Sequence, residues 1–580
     1  MVNMDIDKTK ERFNASGLGI NVLINDTGLI WENNSFFQNI PNQTNIYNIY
    51  SDSDGIHEYV PGDNELFATE GHCMVVARAL KEVAEDINLY CTVHSRMYDV
   101  EWTIAHKNID IFNCSANYGS YTSYVSDYPA VWFDYISSEY NIPIIASGGN
   151  DPDWSPANTW PYAISPSSAC NSIAVGSCYY DEDSQDFRMQ NFRYADNTDT
   201  GIIHYKPDVV LDCPSTSEGA PLLSGTIALI LEKFPNLTND PDSFPLIVKA
   251  IVLASCHKKA LPADNTNDLQ ENMFDGLTLK QGAGVFNSYT AMCIAAMQNY
   301  KEGEISQGNN IIDTITPYSN SCINASLVWF RNNTVPNTYN YNIHDVNIMP
   351  LNELSLRVYD ENTQVAYSNK DKAYKQLAYF SAYNNSSYDI KIEKTTINSE
   401  SVKFAYAWSS NATKYINNVE IDGNKIAVGQ PLTAKAFYLD NGAEVSTDEL
   451  QYQWQRSTNF SSWNNITSAN SSTYVLSGND QSNYIRCVVS PKSASLINYI
   501  YYFGSVNDIV VRYGDVNNDT VVDILDVTKI QKHLSGLVNL TNDQKRAGDV
   551  DGDGFITNND AYLITQYCMG NITSFDVENP

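Results

Sequence analysis

The sequence predicts a multidomain chain: a three-layer α/β domain with a parallel sheet, two β-sandwich domains and a small α-helical domain. Three observations carry this prediction. Up to about residue 300, short apolar runs alternate with helix-like patterns, which is typical of βαβ units. From there to about residue 511, apolar residues recur with period two. Near the C-terminus, two acidic twelve-residue segments have matching spacing.

Length, charge and cysteine content bound the class of protein. With 580 residues, the chain is expected to hold three or four domains of about 150 residues each. The net charge of -33 argues against nucleic acid or an anionic membrane as the main partner, since polyanions select Lys and Arg clusters. No apolar run approaches the roughly 20 residues that cross a bilayer. The 11 cysteines form no CxxC pair, so we interpret most as small buried hydrophobes.

Five apolar runs of the α/β domain are predicted as buried strands. They are GINVLIN (19–25), NLYCTV (88–93), IDIFNCS (109–115), IPIIAS (142–147) and NSIAVGS (171–177). The run HCMVVARALKEVAEDI (72–87) has apolar residues at helical spacing, and YVSDYPAVWFDYISSEY (124–140) is a second predicted helix. This succession predicts helices packed on both faces of a parallel sheet.

A polar link, YKEGEISQGNN (300–310), is expected before the β-rich part. Alternating apolar residues then predict an antiparallel, jelly-roll-like sandwich and a second sandwich. In the second, Trp454 and Cys487 resemble the core tryptophan and second cysteine of an immunoglobulin-like domain, although PLTAKAFYL offers no partner cysteine. Both sandwiches are interpreted as spacers or substrate-presenting modules. The predicted domains are 1–302, 303–412, 413–511 and 512–580.

The segments DVNNDTVVDILD (515–526) and DVDGDGFITNND (549–560) carry oxygen ligands at positions 1, 3, 5, 9 and 12. With the carbonyl of position 7, this spacing wraps a seven-coordinate calcium ion, whereas a solvated acidic turn explains neither the repeat nor the spacing. Thr520 stands where a turn glycine is usual, so the first loop is expected to bind calcium more weakly. The predicted ligands are Asp515, Asn517, Asp519, Val521, Asp523 and Asp526, and Asp549, Asp551, Asp553, Phe555, Thr557 and Asp560.

Each loop runs into a helix, ends in Asp where calmodulin-type loops end in Glu, and is predicted to have no entering helix. The pair resembles a type I-like dockerin over about residues 512–575. The resemblance implies two bound calcium ions and docking to a cohesin domain of a bacterial scaffoldin, through residues just before each loop's last ligand. Because an apolar pair and an amide pair offer different surfaces, we expect one preferred docking orientation. These pairs are Ile524 and Leu525, and Asn558 and Asn559.

Four polar residues stand at the ends of predicted elements in the α/β domain. Asp26 and Asn150 follow buried strands, and His72 and Ser217 open helices, so they are expected to converge at the carboxyl edge of the sheet. A serine becomes nucleophilic when an imidazole takes its proton, a buried carboxylate fixes the imidazole tautomer, and an amide stabilises the oxyanion. Taken singly, each residue has a structural interpretation as a helix cap or a turn residue.

In this order the residues and their surroundings resemble the subtilisin-like serine proteases, the subtilases, over about residues 8–300. The motifs are INDTG, EGHCMVVA, NCSANYG, IIASGGND, IAVGS, KPDVV, STSEGAP and QGAGVFNSYTA. The resemblance implies that Asp26 orients the imidazole, that His72 is base and acid, and that Ser217 attacks. Asn150 and the Ser217 amide would form the oxyanion hole. The implied substrate-binding residues are Ser115, Ala116, Asn117, Ser147, Gly148 and Gly149.

The surroundings of two residues depart from the family. The second histidine and following glycine that are usual after His72 are replaced, and the stretch carries Cys73, Met74, Val75 and Arg78 instead. Glu218 follows Ser217 where many subtilases carry Met. The first 20 residues lack the apolar centre of a secretory signal, so the chain either stays inside the cell or begins after processing. Because the resemblance to a dockerin implies a place outside the cell, an export signal and propeptide are expected outside this sequence.

The sequence therefore predicts an extracellular bacterial serine endopeptidase that cleaves protein or peptide substrates, bound to a cellulosome-type scaffold and otherwise monomeric. One alternative is a catalytically inactive binding or structural component of the same complex. Another is a protease-inhibiting or adhesive role of the two sandwiches.

Overall fold

A computed structural model shows the chain as two compact units, Met1–Asn411 and Ala412–Pro580. The structure describes residues 4–578 apart from 33–36, 61–70, 95, 119–127, 151–162, 182–185, 192–204, 257–276, 279–280, 307–308, 318–320, 332–351, 369–373, 383–386, 397–400, 411–414, 424, 439–443, 460–461, 493–496, 499–501 and 506–507.

The first unit begins with an α/β region. Its strands are β1 (Asn21–Asp26), β2 (Ile46–Asp52), β3 (Gly55–Tyr59), β4 (Asn88–Val93), β5 (Ile111–Cys114), β6 (Ile144–Ser147), β7 (Ile173–Asp181), β8 (Asp186–Asn191) and β9 (Val209–Asp212). Its helices are α1 (Ile6–Phe13), α2 (His72–Val83), α3 (Met97–Lys107), α4 (Tyr128–Glu139), α5 (Thr216–Lys233), α6 (Phe244–Ala254) and α7 (Ser288–Ala296). The five predicted strands and both predicted helices are confirmed, except that 124–127 of the second helix lie outside the described residues.

The strands of this region form one sheet in the order β3-β2-β4-β1-β5-β6-β7-β8, with β9 beside β7. The strands from β2 to β7 in this order are parallel, and β3 and β8 pair antiparallel to their neighbours. From β1 the chain places β4 on one side and β5 on the other. The carboxyl ends of strands at such a switch of direction border a crevice that ligands commonly use.

Successive residues of β1 point to opposite faces of the sheet and are buried on both. Val22 and Ile24 pack on the side of α2 and α5. Leu23 packs with Phe112 on the side of α3 and α4. Helices therefore cover both faces, which explains why the strand is apolar throughout and confirms the three-layer prediction.

The rest of the first unit is an antiparallel structure that we call the first sandwich. One sheet has the order β10-β17-β12-β15 and the other β11-β16-β13-β14. Leu327 and Trp329 of one sheet share a buried core with Leu356 and Ile390 of the other. The strands are β10 (Tyr300–Ser306), β11 (Asn310–Ile315), β12 (Ser321–Trp329), β13 (Glu353–Asp360), β14 (Thr363–Ser368), β15 (Lys375–Ala382), β16 (Tyr388–Thr396) and β17 (Ser401–Ser410).

The predicted polar link at 300–310 is wrong. Residues 300–306 form the edge strand β10, which pairs antiparallel with β17. Ile305 is buried, whereas Lys301 and Glu304 are exposed. Charged side chains are common on edge strands, where they discourage pairing with other molecules. Because of these charged residues, the sequence pattern did not predict the strand.

The first sandwich also packs against helix α6. Val328 and Ala405 lie on the outer face of its β10-β17-β12-β15 sheet and belong to the core of the α/β region. Asn324 Nδ2 donates a 2.6 Å hydrogen bond to the carbonyl of Cys256, just beyond α6, and Ser326 Oγ donates to the carbonyl of Ala250 at 2.7 Å. Strands of the sandwich thus satisfy backbone groups of the α/β region.

The second unit contains the second sandwich. Its sheets have the orders β22-β19-β18-β24 and β21-β20-β23-β25. Trp454 faces Cys487 across the β20–β23 pair, and both are fully buried, as the immunoglobulin-like pattern predicts. The strands are β18 (Tyr415–Asp422), β19 (Pro431–Tyr438), β20 (Leu450–Ser457), β21 (Asn464–Asn465), β22 (Thr473–Val475), β23 (Tyr484–Pro491), β24 (Ile497–Asn498) and β25 (Tyr502–Ser505).

Three helices complete this unit: α8 (Ile524–Leu534), α9 (Asn542–Gly548) and α10 (Asn558–Cys568). Helices α8 and α10 contribute Ile530 and Ile564 to a small core that also includes Phe575. The absence of an entering helix is wrong for the second loop, because α9 ends immediately before it. A capping box between Thr541 and Gln544 starts α9, and this T-x-x-Q pattern was the missed signal. None of the described helices is long and apolar enough to span a membrane.

Candidate functional site

Asp26 and His72 meet at the carboxyl end of β1. The Asp26 side chain is fully buried, and its Oδ1 lies 2.6 Å from His72 Nδ1. Because a carboxylate only accepts, Nδ1 carries the proton and Nε2 is left as the basic nitrogen. The amide of Thr27 also donates to Asp26 Oδ1 at 2.6 Å, which fixes the carboxylate. The imidazole is 39% exposed.

Ser217 does not cap the helix in which it lies. The N-cap of α5 is Ser215, whose side chain accepts a hydrogen bond from the amide of Glu218 at 3.3 Å. Ser217 lies in the first turn of the helix and is 7% exposed. The capping interpretation therefore applies to a serine two positions earlier, and the Ser217 hydroxyl is not needed for that task.

Helix α2, which begins at His72, and helix α5, which contains Ser217, pack closely. A Cβ added to Gly225 would lie 2.6 Å from the Cβ of Val83 and 3.2 Å from the carbonyl oxygen of Leu80. Gly225 follows Ser217 by the same number of residues as Leu80 follows His72.

Asn150 lies beside the start of the same helix. Its Oδ1 accepts from the amide of Thr216 at 2.9 Å and from Thr216 Oγ1 at 2.8 Å. Because a backbone amide only donates, the acceptor must be Oδ1, and Nδ2 remains available as a donor on an exposed side chain. Gly149, at φ 97°, makes the turn that a residue with a side chain would resist, and its amide donates to Thr216 Oγ1.

The contribution of Thr216 was missed at the sequence level. Thr216 directly precedes Ser217, and its hydroxyl and amide bind the Asn150 side chain there. Its position beside the predicted nucleophile was the available signal.

The predicted substrate-binding residues divide by exposure. Asn117 is exposed, whereas Ser115, Ala116 and Ser147 are buried. Ser115 Oγ donates to the carbonyl of Ser217 at 3.2 Å. The amide of Gly148 donates to the carbonyl of Val175 at 2.7 Å, and Gly149 is also buried. Roles in substrate binding stay a prediction for all six.

The two departures from the subtilase pattern have structural explanations. Cys73 is fully buried, and a hydrogen bond with Cys91, together with burial, raises the pKa of the Cys73 thiol well above its usual value. This thiol is therefore neutral and no rival nucleophile. The carboxylate of Glu218 accepts a 3.3 Å hydrogen bond from Ser215 Oγ, so it takes part in the helix cap.

The second calcium-type loop, residues 549–560, gathers three carboxylates. Oxygens of Asp549, Asp551 and Asp553 lie within 4.8 Å of one another. Asp549 Oδ1 is buried and has no hydrogen-bond partner among the described residues, and burial raises the pKa of this carboxyl group. Oxygen ligands gathered in this way fit a hard divalent cation such as calcium.

The terminal aspartates of both loops also start helices. Asp526 Oδ2 accepts from the amide of Asp523 at 2.9 Å, and Asp560 Oδ2 accepts from that of Thr557 at 2.8 Å. Each pair is a capping box, with the loop's last predicted ligand at the third position of the helix. The Asp side chain that replaces the usual Glu therefore hydrogen-bonds to the backbone of its own loop.

The backbone of the first loop, residues 515–526, repeats that of the second. Asn518 and Thr520 have φ values of 63° and 76°, and Gly552 and Gly554 have 75° and 86°. Two non-glycine residues thus adopt left-handed conformations where the second loop has glycine, and each costs on the order of 1 kcal/mol. Both the repeat and the strain at Thr520 agree with the sequence expectation.

Comparisons with known proteins identify the families of two regions. The model of the subtilase family matches residues 19–284, and the model of the type I dockerin domain matches residues 513–568. None of the curated protein sequences matches the chain.

Three solved structures illustrate the similarity. A chain of the complex between the third ScaC cohesin and the ScaB dockerin from Acetivibrio cellulolyticus is 37% identical, with 12% of this chain and 96% of that chain covered and a TM-score of 0.11. MycP1 without its N-terminal propeptide is 16% identical, covering 50% of this chain and 96% of its own, with a TM-score of 0.31. Pseudomonas sedolisin is 13% identical, covering 42% and 84%, with a TM-score of 0.30.

Proposed function

We propose that this chain, which belongs to the subtilases through residues 19–284 and to the type I dockerins through residues 513–568, is an extracellular serine endopeptidase docked on a bacterial scaffold. Its partner is a cohesin domain of a scaffoldin. The observation that carries the enzymatic proposal is the 2.6 Å hydrogen bond between Asp26 and His72, since a buried carboxylate on Nδ1 leaves Nε2 as a base.

The proposed reaction is acyl transfer. His72 Nε2 takes the hydroxyl proton of Ser217 as its oxygen attacks the carbonyl carbon of a peptide bond. The oxyanion accepts hydrogen bonds from Asn150 Nδ2 and the Ser217 amide, each of the kind whose removal lowers kcat by about 10²- to 10³-fold. The imidazolium then protonates the leaving amine, and water hydrolyses the ester on Ser217 by the same proton path.

We assign the substrate backbone to the edge formed by Asn117 and its neighbours after β5. An extended peptide there would pair with backbone groups as an added strand. Support comes from the exposed side chain of Asn117 at the carboxyl end of β5, next to β1 that carries Asp26.

Calcium is assigned to both C-terminal loops, where the predicted oxygen ligands would hold it. The ion would tie each loop's backbone to the start of its following helix and so keep the docking surface in shape. The three gathered carboxylates of the second loop support this assignment.

Active-site labelling with a fluorophosphonate, followed by peptide mass spectrometry on the full chain, tests the enzymatic proposal. We expect the label on Ser217 in the wild type and no label in Ser217→Ala. The matched control is Ser215→Ala, which removes the helix cap and about 0.5 to 2 kcal/mol of stability but keeps the nucleophile. A folded wild type without label would instead indicate an inactive component of the same complex.

A further inference from the structure

A buried amide of the second sandwich contacts the first calcium loop. Gln481, which follows the short helix at Gly478–Asp480, is 8% exposed. Its Nε2 donates to Asp515 Oδ2 at 2.6 Å and to Asn518 Oδ1 at 3.0 Å. Arg512 Nε donates to Gln481 Oε1 at 3.2 Å, and because a guanidinium only donates, it fixes which end of the amide faces the loop.

This amide orients the first predicted ligand of the loop. Asp515 Oδ2 also accepts from the amide of Thr520 at 2.7 Å, while Oδ1 accepts a longer, 3.1 Å bond from the amide of Asp519. Two short bonds therefore hold Oδ2, and Oδ1 is the oxygen left to face an ion. A carboxylate anchored in this way loses less freedom when it binds a metal.

The second loop shows what the amide adds. Asp549 Oδ2 accepts from the amide of Gly554 at 3.0 Å, as Asp515 does from Thr520, and Asp549 Oδ1 has no partner among the described residues. The loop's own backbone thus anchors one oxygen in both cases. At Asp515, the Gln481 amide adds a donor from outside the loop.

The same contact supports the strained turn of the first loop. Asn518, at φ 63°, accepts from Gln481 and exchanges hydrogen bonds of 2.9 and 3.0 Å with Ser482. Side-chain bonds that hold Asn518 in place offset part of the backbone strain that Thr520 and Asn518 introduce. The corresponding residue of the second loop, Gly552, carries no such strain.

We propose that Gln481 is a positioning residue for the first calcium loop, so that this loop reaches its full calcium affinity only with the second sandwich in contact. The inference rests on the proposed calcium binding. The second sandwich would then contribute to metal binding, which a mere spacer does not do. Calcium binding would in turn favour the contact between the sandwich and the helical region.

Calcium titration calorimetry on full-length variants tests this. Asp549→Ala removes a ligand of the second loop, so that binding to the first loop is measured. Asp515→Ala does the converse, and the double variant measures binding at any other sites. With Asp549→Ala, we expect Gln481→Ala to weaken calcium binding about tenfold, as loss of a group behind a ligand does. With Asp515→Ala, the same substitution should leave the affinity unchanged.

Gln430→Ala is the matched control. Gln430 Nε2 donates to the carbonyl of Glu578 at 3.1 Å, so it joins the sandwich to the same helical region without touching a loop ligand. We expect less than a twofold effect on calcium affinity. The rise in thermal midpoint on adding calcium should likewise shrink in Gln481→Ala and persist in Gln430→Ala.

Three results would overturn the inference. An affinity of the first loop within twofold of its parent in Gln481→Ala excludes the positioning role. If Gln481→Ala weakens calcium binding to both loops equally, or if Gln430→Ala weakens it as much as Gln481→Ala does, the effect reflects only a loss of packing. If Asp549→Ala binds no more calcium than the double variant, the proposed calcium assignment of the first loop fails, and this inference fails with it.

Discussion

The carboxylate of Asp26 selects one of the two neutral tautomers of His72. It accepts the Nδ1 proton at 2.6 Å and is itself fixed by the amide of Thr27. An amide in its place could present an N–H to Nδ1 and stabilise the opposite tautomer, in which Nε2 has no free electron pair for a proton. The buried carboxylate would also stabilise the imidazolium that forms during attack.

Asp26→Asn is therefore expected to lower kcat about 10⁴-fold and to change KM little, because substrate contacts remain. Steady-state kinetics on a peptide substrate measures both constants. Asp110→Asn is the matched control, since Asp110 Oδ2 accepts from the amide of Asn21 at the opposite end of β1. A kcat of Asp26→Asn within tenfold of the wild type would contradict the assigned role.

Among the elements, α8 and α10 start in the same way but present different surfaces. Ile524 and Leu525 are 58% and 56% exposed at the start of α8. At the start of α10, Asn559 Nδ2 donates to Asp551 Oδ2 at 2.7 Å, and Asn558 accepts from Gln531. The amides are thus engaged within the domain, and the apolar pair lies open to a partner.

We expect the cohesin partner to use mainly the apolar pair, in one orientation. Replacing Ile524 and Leu525 by serine should reduce cohesin affinity at least tenfold, because exposed aliphatic side chains lose their burial on docking. Replacing Asn558 and Asn559 by serine is the control and should change affinity less than threefold. Surface plasmon resonance with calcium present measures both, and equal losses would refute the single orientation.

At the scale of the whole first unit, a buried carboxylate joins the α/β region to the first sandwich. Asp208 Oδ2 lies 2.7 Å from the ammonium of Lys206, Oδ1 lies 3.4 Å from that of Lys249, and Lys375 of β15 contacts Oδ1. All four side chains are at most 5% exposed. Burial by itself raises the pKa of Asp208, but the three ammonium groups outweigh it and hold that pKa well below its usual range.

One carboxylate faces three cations, so the cluster responds unequally to substitution. Asp208→Asn removes the carboxylate that pairs with three buried ammonium groups and is expected to destabilise the unit by about 3 to 5 kcal/mol. Lys375→Met keeps two partners for Asp208 and should be far milder. Thermal unfolding of both variants measures the order, and a milder effect of Asp208→Asn would contradict this account.

The same cluster predicts a pH dependence. Burial lowers the pKa of Lys375 to about 7, and the attraction of Asp208 offsets only part of that effect. Between this value and the ordinary lysine pKa near 10.4, the unfolded chain binds more protons than the folded one, so this lysine makes stability rise with pH. The thermal midpoint of Lys375→Met should therefore rise less between pH 7 and 10 than that of the wild type, and an equal rise would exclude this source.

Local patterns in the sequence determined the type of most elements and the identity of the candidate groups. Period-two and helical runs are properties of a few consecutive residues, so they predicted β1, β4, α2 and the first sandwich. The twelve-residue spacing predicted the calcium-type loops for the same reason. Edge strand β10 was not predicted, because its charged residues interrupt the apolar pattern. Helix α9 was not predicted, because its only sequence signal was a short capping box.

Only the tertiary structure decided which distant side chains meet. Asp26 and His72 are 46 residues apart, and Lys375 and Asp208 are 167 apart. It also showed that Ser215, not Ser217, caps α5, and that Gln481 donates a hydrogen bond to Asp515 of the first loop. Such contacts depend on how sheets and helices pack over long separations, which no periodicity within one element encodes.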